Sequence, residues 1–492
     1  MKQLRTNIRR IAFGLAALFL VLILYGGYSL SNYGSRWFST NANSYLRGVK
    51  KDVIPGNILD RHGTMLAGAE ITAYQDGTLS WERVYAQDEA VRLGTVHALG
   101  DSGGKVSNAV ESFMASYLYG FKQTVWDRIF DAAEGRTRQG DTLTLTLDAS
   151  LCGSIADAVR SDRSLPDRVR GAVVVMNWQT GEVLSLMSFP AFDPAADESR
   201  IDRTGQPFFN RATQGMYAPG SAFKIVTLSA ALKSPALQNR SFTCQGTYLP
   251  DNDPTRRIVD YGTDTKQGVI VTHGQADLKN AFALSCNNIY AYAAVQMGDD
   301  ALRAEAMKYG FNENFLFRDI VAENSSYPDG DRNLWEVALT GIGQSRLQMS
   351  PLHLCLITAA VANDGVMMEP RLLLEAASSA GRKRLTFSAG QYRRVTDADT
   401  ARTIRDAMLL AVNDPSGTGG AAAVPGWTVC GKTGSAELDG QEHTNAWFTG
   451  FIADARAPYA VTVLLEDTGA GGIYAAPLAG KIFRWLTGST SP

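Results

Sequence analysis

The chain has 492 residues, is 45% hydrophobic and 20% charged, and carries a formal net charge of −2. That is enough apolar material for a large folded core spread over two to three domains, and it excludes a disordered chain. Acidic and basic residues are near balance, so no clustered positive field exists to hold nucleic acid through its phosphates, and no nucleic-acid partner is expected.

Lys2, Arg5, Arg9 and Arg10 precede a nearly unbroken apolar run from Ile11 to Tyr25 that continues weakly to Leu30, and the next basic residue is Arg36. The run approaches the ~20 residues that cross a bilayer. Its charge asymmetry predicts a cytoplasmic N-terminus with everything downstream exported. A cleaved signal peptide is the other reading. The run is long for one and no small-x-small cleavage site follows, which favours residues 1–30 as a tail and retained single-pass anchor in the cell membrane.

Residues 31–145 are polar and turn-rich, with short apolar segments at 95–99 and 113–118, and read as a small pedestal domain outside the membrane. Residues 140–148 alternate as a half-buried strand does. Asp148 is placed to cap a following helix. In the main domain, residues 146–492, the apolar runs 172–176 and 183–187, joined through Thr180-Gly181-Glu182, predict a hairpin. Three more β-rich runs at 427–431, 446–452 and 459–465, and a helix over 478–486, close the chain. Helical patterns at 222–232, 277–297 and 351–362 lie between the two β blocks. Two strands, inserted helices and three strands predict an α+β domain built on one antiparallel five-stranded sheet flanked by helices. Gly417-Thr418-Gly419-Gly420 lacks the helix that a phosphate-cradling loop needs directly after it, and is expected to be a surface loop.

One segment carries chemistry. In Tyr217-Ala218-Pro219-Gly220-Ser221-Ala222-Phe223-Lys224 a Pro-Gly turn delivers a serine to the start of an apolar helix, with a lysine three residues on. Residues so spaced share a helix face. A neutral lysine amine can therefore take the proton of the Ser221 hydroxyl, while helix-terminal amides favour developing negative charge. That task requires the lysine pKa to fall from ~10.4 towards 7 to 8, which burial and a second cation can achieve. S-x-x-K alone is weak: Ser102-Gly103-Gly104-Lys105 repeats it in a glycine-rich loop, just as Ser39-Thr40-Asn41 is a chance S-x-N beside the membrane segment. Specificity comes from two further elements in order, Ser285-Cys286-Asn287 and Lys432-Thr433-Gly434, about 60 and then about 150 residues downstream.

The ordered set resembles the class B penicillin-binding proteins, and the resemblance runs from Ile58 almost to the C-terminus. Supporting matches are Ile58-Leu59-Asp60-Arg61-His62-Gly63, Asn210-Arg211-Ala212, Gly341-Ile342-Gly343-Gln344 and Ala362-Asn363-Asp364-Gly365. Pro55, Ala86 and Ser435 stand where the family more often has Arg, Pro and Thr. The resemblance implies the penicillin-binding transpeptidase fold and a serine D,D-transpeptidase that cross-links peptidoglycan stem peptides and is covalently inhibited by β-lactams. It implies that Ser221 is the nucleophile, Lys224 its base and Ser285 a proton relay. Asn287, Lys432, Thr433, Gly434 and Ser435 would bind substrate, with the Ser221 and Ser435 amides as oxyanion hole. It further implies a membrane location and a possible multi-span glycan polymerase as partner. A D,D-carboxypeptidase or β-lactamase, in which water resolves the acyl-enzyme, is the alternative enzyme. A non-catalytic β-lactam sensor or scaffold is the alternative outside enzymology.

The five cysteines, Cys152, Cys244, Cys286, Cys355 and Cys430, show no disulfide framework, and neither they nor the five histidines have metal-ligand spacing, so no metal or other cofactor is expected. Cys286 and Cys430 read as small buried hydrophobes. His443, between two predicted strands, is a candidate substrate contact.

Overall fold

In the computed structural model, residues 2–38, 53–74, 79–123, 138–264, 267–437 and 444–489 are described, together with residues 129 and 133. Ser39-Thr40-Asn41 and His443 lie outside them. Lys2–Phe38 form one helix, α1. Its segment Arg5–Ser29 is long and apolar enough to cross a membrane, and none of its most apolar stretch is buried by the rest of the chain. A helix that exposes apolar side chains on all sides lacks the polar face a helix on a water-soluble core would show.

The central sheet has five strands: β1 (Gly171–Asn177), β2 (Val183–Phe189), β3 (Val429–Ala436), β4 (Asn445–Ile452) and β5 (Tyr459–Leu465). Every pairing is antiparallel, as expected of one antiparallel five-stranded sheet, and the structure sets the strand order as β3-β4-β5-β1-β2. Side chains alternate across the sheet. Val173, Val175, Val461 and Val463 pack with Ile482 and Phe483 of the last helix, whereas Ala172, Val174, Met176 and Leu464 belong to the core that holds Cys355 and Leu356. Both faces are therefore covered, which is why these strands read as continuous apolar runs rather than as alternation. The helix behind the second face, α4 (Pro351–Ala362), is capped by the Ser350 side chain and buries every residue.

The pedestal's sheet has six strands, and two of them come from far downstream: Leu373–Ala377 pairs antiparallel with Thr142–Leu145, and Lys383–Thr386 extends it at the edge. Thr142–Leu145 alternates in burial as expected and also runs parallel to Ile58–Leu59. Asp148 caps the next helix, accepting the Leu151 amide. The two sheets are tied by Glu182, which meets Arg371 at 2.7 Å and Arg61 at 3.2 Å.

One predicted helix is corrected. Residues 277–297 form two helices, Leu278–Ala283 and α3 (Asn287–Met297), capped by Asp277 and by the Cys286 sulfur. Ser285 lies between them at φ +57, a left-handed conformation that periodicity cannot reveal and that turns the chain back on itself.

Candidate functional site

Ser221 lies in a single 3₁₀ turn, Gly220–Phe223, that leads into α2 (Lys224–Leu232). Two glycines let this turn lie against β3. A Cβ on Gly220, whose φ is +53, would stand 2.6 Å from the Ser435 carbonyl oxygen, and one on Gly434 would stand 2.7 Å from that of Pro219. Neither approach is open to a larger residue without backbone movement. The Gly220 amide donates to the Gly343 carbonyl at 2.9 Å, which gives the Gly341-Ile342-Gly343-Gln344 segment its place.

Two residues that sequence reasoning did not single out, Trp447 and Glu466, brace the same turn together with Tyr217 and Arg211. The Trp447 indole N–H donates to the Ala218 carbonyl at 3.1 Å, and the Trp447 ring meets Tyr217 edge to face at 6.1 Å. The Tyr217 hydroxyl donates to Glu466 Oε1 at 2.8 Å, and Arg211 Nε donates to the same oxygen at 2.7 Å. Such an edge-on aromatic pair and a shared carboxylate hold the segment that leads into Ser221.

Lys224 and Lys432 are both fully buried. Lys224 Nζ donates to the Ser285 carbonyl at 2.6 Å and to Asn287 Oδ1 at 2.8 Å. Those two acceptors match the two N–H groups of a neutral amine and leave its lone pair without a donor. Burial pushes Lys224 down to about 8, close to the requirement for a base at neutral pH. Ser221 and Lys224 are not hydrogen-bonded to one another in this resting geometry; the amine is held by the Ser285-Cys286-Asn287 segment instead. The left-handed Ser285 makes this possible, because it aims the Ser285 carbonyl at Lys224 while its hydroxyl accepts from Lys432 Nζ at 2.8 Å. Lys432 is also driven far down, first by burial and then by the neighbouring Lys224.

Among the described residues β4 alone lies beside β3, which makes β3 an edge strand of the central sheet. An edge strand offers backbone groups to an extended peptide. Thr433 and Ser435 lie two apart on it, hence on one face. The Thr433 hydroxyl is 2.6 Å from that of Thr418, and the Ser435 hydroxyl accepts the Gly471 amide at 3.2 Å. The expected surface loop around Thr418 is thus folded onto the cleft. All eight sequence-predicted site residues, Ser221, Lys224, Ser285, Asn287, Lys432, Thr433, Gly434 and Ser435, meet in this region.

Behind Asn287 converges a further group to which no sequence motif points. One ligand atom each from Cys244, Asp260, His273 and Cys286 lie within 4.8 Å of one another. No two of these residues have the short spacing by which metal sites are read from sequence.

A five-stranded sheet with a serine-lysine turn, a serine-asparagine corner and a lysine-threonine-glycine edge strand defines a penicillin-recognising transpeptidase. The penicillin binding protein transpeptidase domain family matches residues 171–484, and the chain belongs to that family. It is similar to peptidoglycan D,D-transpeptidase PbpA of Mycolicibacterium smegmatis, 29% identical over 510 residues that cover 96% of this chain and 97% of that protein. It is likewise 28% identical over 451 residues to PbpA of Mycobacterium tuberculosis H37Rv, covering 86% and 88% of the two chains. Among solved structures, penicillin-binding protein A from M. tuberculosis in its ceftriaxone acyl-enzyme complex superposes with a TM-score of 0.78 at 26% identity, covering 89% of this chain and 99% of that one.

Proposed function

We propose that this chain is a peptidoglycan D,D-transpeptidase that works through an acyl-enzyme at Ser221 and is blocked by β-lactams. The observation that carries the reading is the pair of neutral acceptors on Lys224, which together with burial favour a free amine one helical turn from the serine hydroxyl.

In this reading a stem peptide enters extended along β3, with its terminal carboxylate at Thr433 and its amide at Asn287. Ser221 Oγ bonds to the penultimate D-Ala carbonyl carbon and its proton passes to Lys224. The oxyanion is held by the amides of Ser221 and Ser435, where losing one donor typically costs ~3 kcal/mol. The C–N bond to the last D-Ala then breaks and a proton reaches the leaving amine through Ser285, which Lys432 orients. The amine of a neighbouring stem attacks the ester, gives its proton back along the same path and frees Ser221. Gly434 contributes by its small size, which lets the strand meet the serine turn.

The N-terminal helix is taken as a single-pass anchor that leaves the catalytic domain outside the membrane, near lipid-linked substrate and in reach of a multi-span glycan polymerase. Intact-protein mass spectrometry after penicillin treatment tests the centre of the proposal: the wild type gains one adduct and Ser221→Ala gains none. A helix-start alanine costs only ~1 kcal/mol, so the variant folds. An equal mass gain in Ser221→Ala would sink the assignment. With lipid-linked donor and acceptor, a cross-linked dimer separates transpeptidation from a carboxypeptidase, which would release D-Ala alone.

A further inference from the structure

The cluster behind the serine-asparagine corner is built for a cation. Cys244 ends the strand Phe242–Cys244, which pairs with Gly274–Ala276 next to His273; Asp260 follows a short strand, Ile258–Val259; Cys286 caps α3. Cys244, Asp260 and Cys286 are at most 2% exposed, and the His273 side chain is 17% exposed at the rim. Asp260 Oδ2 lies 2.9 Å from Cys244 Sγ, 3.6 Å from Cys286 Sγ and 3.2 Å from His273 Nδ1, and Cys244 Sγ lies 3.6 Å from that nitrogen. A tetrahedral zinc with bonds of about 2.0–2.3 Å sets its ligand atoms about 3.3–3.8 Å apart. Of the six separations among the four atoms, these four include three in or beside that range; on binding the 2.9 Å contact opens slightly and the rest of the group, all within 4.8 Å, draws in.

The surroundings are those of ligated thiolates. The Gly246 amide donates to Cys244 Sγ and the Ile289 amide to Cys286 Sγ, each at 3.4 Å. Asp260 Oδ2 also receives the Asn288 side-chain amide at 3.1 Å, which orients the carboxylate. Such outer hydrogen bonds fix the direction and charge of metal ligands. Two sulfurs, an imidazole and one carboxylate oxygen suit zinc, not magnesium or calcium, which prefer oxygen. Four protein ligands close the coordination sphere, as in sites that hold structure rather than activate water.

We propose that Cys244, Asp260, His273 and Cys286 bind one zinc ion, and that this ion clamps the corner that carries Ser285 and Asn287. The coupling is short. Asp260 Oδ1, the oxygen turned away from the cluster centre, accepts the Asn287 amide at 2.5 Å, and the Asn287 side chain in turn receives Lys224. Zinc thus fixes the segment that holds the Lys224 amine; this second part rests on the catalytic reading above, whereas binding itself does not.

The test uses the full-length chain purified in detergent without chelator. Elemental analysis is expected to give one zinc per chain in the wild type and in Ser221→Ala alike, and to give a sub-stoichiometric amount in Cys244→Ser and His273→Asn. His273 is at the rim, so the His273→Asn variant keeps the core if Cys244→Ser does not fold. Cobalt added to chelator-treated wild type is expected to produce thiolate-to-cobalt charge-transfer absorption. Zinc added back is expected to raise the unfolding temperature and to restore an acylation rate at least tenfold slower without it. Folded wild type free of metal and indifferent to zinc, or a Cys244–Cys286 disulfide in the peptide map, would overturn the site. Stoichiometric zinc whose removal leaves acylation unchanged would overturn the clamp.

Discussion

Buried cations in the pedestal and at its junction with the main domain face carboxylates, whereas the two lysines of the cleft, Lys224 and Lys432, hydrogen-bond only to neutral oxygens. Arg83 meets Glu111 at 2.7 Å with both side chains almost wholly buried, Arg371 meets Glu182 at 2.7 Å and Arg384 meets Asp141 at 2.6 Å. Lys224 and Lys432 have a carbonyl, an amide oxygen and a hydroxyl instead. A buried charge with a counter-ion stays charged and serves structure; one without it is driven to the neutral form and becomes a base. The same chemical class of residue is thus assigned to stability in one region and to proton transfer in the other by its partner alone.

The largest effect is expected from removing the buried amine that has no counter-ion. Lys224→Ala is expected to slow acylation by a chromogenic β-lactam on the order of 10³-fold or more, ~4 kcal/mol of barrier, with little change in unfolding, because nucleophile and base act as a unit. Barely changed stopped-flow rates would shift the role of base to Lys432. The paired region should respond the opposite way. Glu111→Gln leaves Arg83 buried without a counter-charge and should cost about 3–5 kcal/mol in denaturant unfolding, while the protein that remains folded acylates at the wild-type rate.

A pH profile sharpens the contrast. Lys224 acts as a base only when unprotonated, and burial lowers it to about 8. Acylation should therefore climb with pH, bend near 8 and level off above, a limb that the residual activity of Lys224→Ala lacks. The smallest expected effect lies at the edge of the cleft. Thr418→Val removes the hydroxyl partner of Thr433 and should lower the second-order acylation constant by roughly fivefold, about 1 kcal/mol, without altering the pH limb. A tenfold or greater loss would mean that Thr418 does more than orient Thr433.

Whatever depends on near neighbours in the chain is legible in the sequence alone. Ser221 and Lys224 are three apart at a helix start, the five strands of the central sheet are apolar runs bounded by turns, Asp148 is a helix cap, and residues 11–25 are apolar enough for a membrane. The order of the three motifs added the family. Tertiary structure decided whatever depends on closure of long loops. Cys244, Asp260, His273 and Cys286 are drawn from a strand end, two loop positions and a helix cap, so no short spacing betrays them. Thr418 and Glu466 reach the cleft from separate turns, and the pedestal completes its sheet with Leu373–Ala377 and Lys383–Thr386. The left-handed Ser285 belongs to the same class: it interrupts a sequence that favours an uninterrupted helix, and what holds it is the ring of partners around it, Lys224 on its carbonyl and Lys432 on its hydroxyl. Local propensity has a range of about one helical turn, and the proton-transfer geometry of this protein is made by contacts that span 61 to 147 residues.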